Sequence, residues 1–199
     1  METGLEDKVV LITGGSKGIG KACAAHFAEE GATVVITYAS DKKAAEDTVR
    51  QITAEGHDCR AFRLDFRDRN AIIDVVNEIG TAVGNVEVLV NNAAAMVGPG
   101  RTPVREEFET ANLDDWFALV DLNLFGTATV TRHVLPMMKR AGWGRIVHIS
   151  SGAADDGFAG GPLTLRIKLL SMALVKRWRL SFHPQTFTLT SSCPGSRSS

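Results

Sequence analysis

The strongest constraint in this chain is a rhythm. Short apolar runs bounded by glycine or aspartate stand at 9–13 (VVLIT), 33–38 (TVVITY), 59–65 (CRAFRLD), 86–93 (VEVLVNNA) and 144–151 (GRIVHISS). Helix-like segments such as KACAAHFAEEGA and KKAAEDTVRQITAEG separate them, with apolar positions such as Ala44, Val49 and Ile52 on one face and charges on the other. Strands that alternate with helices pair in parallel, because a parallel neighbour needs a crossover long enough to hold a helix. Right-handed crossovers then cover both faces of the sheet. The expected fold is a doubly wound parallel α/β sheet in three layers, formed by one domain over residues 1–199.

The chain has 199 residues, 44% hydrophobic content and a net charge of -1, enough to bury one core and with no charge excess to attract nucleic acid or anionic lipid. The first apolar run begins within nine residues, without the basic start and cleavage site of a signal peptide, and no run reaches the length of a membrane span. Cys23, Cys59 and Cys193 form no CxxC pair and have no clustered histidines, so neither a disulfide framework nor a metal site is expected. A cytoplasmic protein acting on small molecules fits these bounds.

The first strand runs straight into TGGSKGIG at 13–20, and a helix follows at once. Glycines there allow a tight turn and close backbone approach, so amides at the positive helix end can hold a pyrophosphate. Gly14, Ser16, Lys17, Gly18, Ile19 and Gly20 are therefore candidate dinucleotide-binding residues.

The TGxxxGxG spacing, taken with the motifs that follow it, resembles the short-chain dehydrogenase/reductase family, and its ketoacyl-reductase type in particular. Asp65 stands where that family places an acidic residue on the adenine. NNAA at 91–94 is similar to the family's NNAG, which implies that Asn91 supports the sheet and cofactor loop and that Ala93 lines the site. Asn123 in WFALVDLNLFG and Ser151 in GRIVHISS fall on the family's active-site asparagine and serine. The resemblance implies a Rossmann-like sheet, hydride transfer between a nicotinamide cofactor and a carbonyl or secondary alcohol, and homodimers or homotetramers.

An acidic side chain about 20 residues past the turn would bind the ribose 2′-hydroxyl of NAD. The second strand ends instead in Tyr38-Ala39-Ser40, and Lys17 can pair with a 2′-phosphate. NADP is the expected cofactor, with NAD possible and Asp41 a nearby charge that opposes the phosphate.

The catalytic half departs from the pattern. In the family a tyrosine follows the serine by 13 residues and a lysine follows the tyrosine by four; here those positions hold Thr164 and Lys168, and the only tyrosine of the chain is Tyr38. A threonine hydroxyl is shorter and far less acidic than a phenol, and a positioned acid contributes about 10² to 10⁴ in rate. A one-base slip near Leu163 would explain the loss. Reading one base earlier, the codons for 164–170 permit Tyr-Ala-Ala-Asn-Lys-Ala-Ala, those for Met172-Ala173 force glycine, and those for 177–179 permit Ala-Leu-Ala. Residues 164–199 then form an out-of-frame tail that also removes the family's last strand and substrate-covering helices. The other reading is a pseudoenzyme that binds nucleotide without turnover.

Of the remaining polar residues, His26, His133 and His148 are expected to be satisfied structural histidines, with His148 on the face opposite Ser151. Asp155 and Asp156 read as solvated loop residues, Asp114 and Asp115 as the opening of the helix that carries Asn123, and Trp116, Met137 and Met138 as helix packing.

Overall fold

The computed structural model describes residues 3–94 and 112–149, and the backbone of 185–189. Six parallel strands are described: β1 (Val9–Ile12), β2 (Thr33–Tyr38), β3 (Cys59–Arg63), β4 (Val86–Asn91), β5 (Arg145–Ile149) and β6 (Gln185–Leu189). Their order in the sheet is β3-β2-β1-β4-β5-β6, so the chain winds outward from β1 in one direction and then, from β4, in the other. The reversal lies between β1 and β4, and the crevice at the carboxyl ends of these strands is where such a sheet receives ligands.

The helices are α1 (Gly18–Glu29), α2 (Lys42–Ala54), α3 (Arg69–Ala82), α4 (Leu113–Val120) and α5 (Gly126–Ala141), with α4 and α5 joined by a π-helical turn at Asp121–Phe125. Burial explains the strand sequences. Every side chain of β1 is buried, because its alternate residues enter two different cores. Leu11, Val35, Leu89 and Ile146 face Ile72, Val76 and Ile79 of α3 and Val130, Val134 and Met138 of α5. Val10, Ile12, Val34, Ile36, Val88 and Val90 face Ala24 and Ala28 of α1 and Ala45 and Ile52 of α2. Continuous Val/Ile/Leu runs are the signature of a strand covered on both sides.

The expected α/β class and strand count are met and exceeded. β1, β3 and β4 end earlier than their apolar runs, and β6, which pairs with β5 from Arg145↔Gln185 to Ile149↔Leu189, adds a strand that the apolar pattern does not mark. Met137 and Met138 pack in the core as expected, and Asp114 and Asp115 occupy the first turn of α4 behind its N-cap, Asn112.

One expectation about the interior fails. His148 is buried with no partner for Nε2, and burial lowers its pKa to about 4. Its register neighbour Asn91 leaves Oδ1 equally unpartnered, so two orphaned polar atoms lie on adjacent strands. By contrast, His133 meets the carbonyl of Thr129 at 2.8 Å and His26 meets Glu29 at 2.9 Å.

Candidate nucleotide site

The turn after β1 is held from three sides. Thr13, buried at the end of the strand, accepts hydrogen bonds through Oγ1 from the backbone N–H groups of Asn92 and Ala93, both at 3.1 Å. Asn92 returns the contact: its Nδ2 donates to the carbonyls of Thr13 and Gly14, both at 3.0 Å. From β2, the Thr37 hydroxyl accepts from the Gly14 N–H at 3.3 Å and the Thr37 carbonyl from the Gly15 N–H at 3.0 Å. From α2, the Thr48 hydroxyl donates to the Ser16 carbonyl at 3.1 Å. A backbone with this many external partners is fixed before any ligand arrives.

Glycine is required at two points. Gly14 adopts φ +67, the left-handed region that side chains disfavour. At Gly20 a Cβ would lie 2.5 Å from both Asn92 Nδ2 and the Gly14 carbonyl, breaking the clasp.

The helix start that follows is left open. Asp41, Asp68 and Asn112 cap α2, α3 and α4 with side-chain oxygens, whereas the N-cap of α1 is Lys17 and makes no side-chain cap. The first amides of α1 and their partial positive charge therefore remain available to an anion. Lys17 Nζ lies 2.5 Å from Asp41 Oδ2, and this pairing, together with the Ala44 backbone N–H, holds the Asp41 carboxyl below its usual range.

Beside the turn lies a cavity of about 570 Å³, lined by Gly14, by Thr37 and Tyr38 at the end of β2 and Ala39 and Ser40 beyond it, by Leu64 to Arg67 after β3, by Asn92 to Ala94 after β4, and by Leu122. Of the residues singled out in the sequence, Gly14, Tyr38, Ser40, Asp65 and Ala93 converge here. Asp65 does not end β3 but lies two residues beyond Arg63, where its carboxylate accepts from the Arg67 backbone N–H at 3.1 Å and from the Arg67 guanidinium at 2.6 to 3.1 Å. The Arg67 hydrogen bonds hold the Asp65 carboxyl below its usual range.

Asn91 does not reach the turn. Its Nδ2 donates to Thr131 of α5 at 3.2 Å, beneath the sheet, and it is Asn92 that clasps the cofactor loop. Asn91 is the last residue of β4, and Asn92 is the first beyond it, where the chain turns towards the end of β1. Asn123 is buried within the π-helical turn, next to the cavity residue Leu122, and its Nδ2 donates to the Leu119 carbonyl at 3.0 Å. Ser151, Thr164 and Lys168 lie outside the described residues.

The shape and chemistry fit a dinucleotide. The cavity at the carboxyl ends of the strands adjoins a clasped glycine turn and an uncapped helix start, so a base and a pyrophosphate each have a place. Among the described residues, no group of His, Cys, Asp and Glu could hold a metal ion, and no helix is long and apolar enough to cross a membrane.

The family comparison agrees with this geometry. The short chain dehydrogenase family model matches residues 8–198, and the chain belongs to that family. It is 32% identical over 191 residues to an uncharacterized oxidoreductase, YxjF, of Bacillus subtilis, covering 96% of this chain and 71% of that protein. It is also 32% identical over 191 residues to the 3-oxoacyl-acyl-carrier-protein reductase FabG of Thermotoga maritima, covering 96% of this chain and 74% of the relative. A metagenomic short-chain oxidoreductase solved in complex with NADP superposes with a TM-score of 0.81 at 28% identity, covering 96% of this chain and 85% of the other.

Proposed function

We propose that this member of the short-chain dehydrogenase/reductase family is an NADP-preferring oxidoreductase acting on a carbonyl or secondary alcohol, of the ketoacyl-reductase type. The observation that carries the cofactor half is the cavity beside the clasped glycine turn, whose β2 rim ends in Tyr38-Ala39-Ser40 with no carboxylate to claim a ribose 2′-hydroxyl. The NADP complex of the metagenomic relative supports the same choice. In this reading the turn from Gly14 to Gly20 holds the pyrophosphate, Lys17 turns from Asp41 to a 2′-phosphate, and Asp65 accepts from the base.

The cofactor, when bound, supplies or takes the hydride. The residues of the chain do the rest: Ser151 donates a hydrogen bond to the substrate oxygen, Lys168 binds ribose hydroxyls, and Asn123 supports the proton relay. Thr164 stands where the family's acid stands and lacks its acidity, so turnover is impaired by about 10² to 10⁴. A neutral polarising hydroxyl and a cofactor still leave the carbonyl without a proton donor, and that is the step at which the chain falls short.

The same threonine favours a second reading, a nucleotide-binding protein without turnover, whether as a pseudoenzyme or as the product of a shifted reading frame. Leu113 and Phe117, exposed one helical turn apart on α4, support assembly into homodimers or homotetramers. The deciding experiment is NADPH titration by fluorescence on the purified chain and on the same chain carrying the frame-corrected sequence from residue 164 onward. Binding by both, with ketone-dependent NADPH oxidation only by the corrected chain, supports a reductase that has lost its acid. Turnover by neither, with binding by both, supports the binding protein.

A further inference from the structure

Arg67 lines the mouth of the cavity, and the nucleotide assignment leaves it unused. Its Nε donates to both carboxylate oxygens of Asp65, at 2.9 and 3.1 Å, and its Nη2 donates to Oδ2 at 2.6 Å. A fork held on a carboxylate in this way is fixed in plane, because both groups are flat and meet edge to edge. The side chain is nevertheless 71% exposed, so the face of the guanidinium is left open.

An arginine tethered by its edge and open on its face is suited to covering a flat ring. It is poorly placed to grip a phosphate, since two of the nitrogens that would do so already point at Asp65. The neighbouring cavity walls, Leu64, Phe66 and Leu122, are apolar and favour a flat, weakly hydrated ligand group in the same space.

We propose, resting on the nucleotide-binding reading, that Arg67 is a further ligand-binding residue whose Asp65-held guanidinium stacks on the purine base of a nucleotide in this cavity. Asp65 is then a positioning residue that orients Arg67. A planar cation held over a base gains from stacking and from cation–π attraction, neither of which needs a particular base edge.

The test is equilibrium binding of NADPH and of adenosine 2′,5′-bisphosphate to the purified chain and to its Arg67→Lys and Arg67→Ala variants, with thermal melting of each. Lysine keeps the charge but loses the plane and the fork. Both variants are expected to melt like the unsubstituted chain and to bind both probes about tenfold more weakly. Wild-type affinity in Arg67→Lys overturns the proposal, because a point charge would then suffice; so does wild-type affinity in Arg67→Ala. If the unsubstituted chain binds neither probe, the nucleotide-binding reading itself fails and takes the proposal with it. Binding by the unsubstituted chain with unchanged variants removes Arg67 alone.

Discussion

Lys17 and Asp41 form an ion pair at 2.5 Å that joins the glycine turn to the N-cap of α2. One carboxylate therefore serves two masters, because Asp41 Oδ1 also accepts from the Ala44 N–H at 2.9 Å to cap the helix. A ligand phosphate at Lys17 must displace Asp41 or tolerate it.

Asparagine caps helices about as well as aspartate and carries no charge. Asp41→Asn should leave melting nearly unchanged and tighten NADPH binding roughly two- to fivefold, the range of an exposed ion pair, with little effect on NADH. Parallel fluorescence titrations with the two cofactors check this. An equal gain for both would place Lys17 on the pyrophosphate instead of the 2′-phosphate.

Asn92 Nδ2 donates to the carbonyls of both Thr13 and Gly14. Asn92→Ala should cost about 1–3 kcal/mol by leaving them unsatisfied, and Gly20→Ala a similar amount by forcing Asn92 and the Gly14 carbonyl apart. Urea denaturation measures both costs. Dinucleotide affinity should fall in each variant, because the same contacts shape the turn.

The low pKa of His148 makes stability depend on pH in a defined window. Burial holds the folded-state value at about 4, against an ordinary 6.5, so between these values the unfolded chain binds a proton that the folded chain refuses. Stability from this group is complete above pH 6.5 and is lost as pH falls towards 4, by roughly 3 kcal/mol across the window. Asp41 and Asp65, whose pKa values lie below 3.8, lose their contributions only at lower pH. Melting temperatures from pH 7 to pH 4 should therefore fall less steeply in His148→Asn than in the unsubstituted chain.

Cys59 is buried and its thiol is pushed up to about 12, chiefly by desolvation and next by the charge of Asp58. At pH 8 its thiolate fraction is on the order of 10⁻⁴, so iodoacetamide should spare it in the native protein and reach it in urea. Peptide mass spectrometry reads the outcome. Rapid native labelling of Cys59 would mean that β3 opens at the edge of the described sheet.

Much of this architecture could be read from the chain because strands buried on both faces have no choice of residue. VVLI and TVVITY admit few interpretations once a helix follows each. The glycine turn was equally legible, since its spacing and its position between strand and helix carry the chemistry. The partners of that turn were not. Thr13, Thr37 and Thr48 are unremarkable letters until the sheet order brings them together, and Asn91 and Asn92 are told apart only by where β4 stops. Arg67 joined the site through loop geometry, which has no period to read, and Leu122 through a π-helical turn that interrupts the α-helical period. β6 was hidden for another reason: QTFTL has few of the aliphatic residues that betray a buried strand.

The clasp between Thr13 and Asn92 spans 79 positions of sequence. It cannot exist while the chain is being made until β4 has emerged and found its place beside β1, however early the glycine turn itself is synthesised. Closing so long a loop is slow compared with forming α1 or α2, which need only their own residues and near neighbours. Nucleotide capture is thus a clock for this protein: its onset during refolding or synthesis dates the moment when the two halves of the sheet meet.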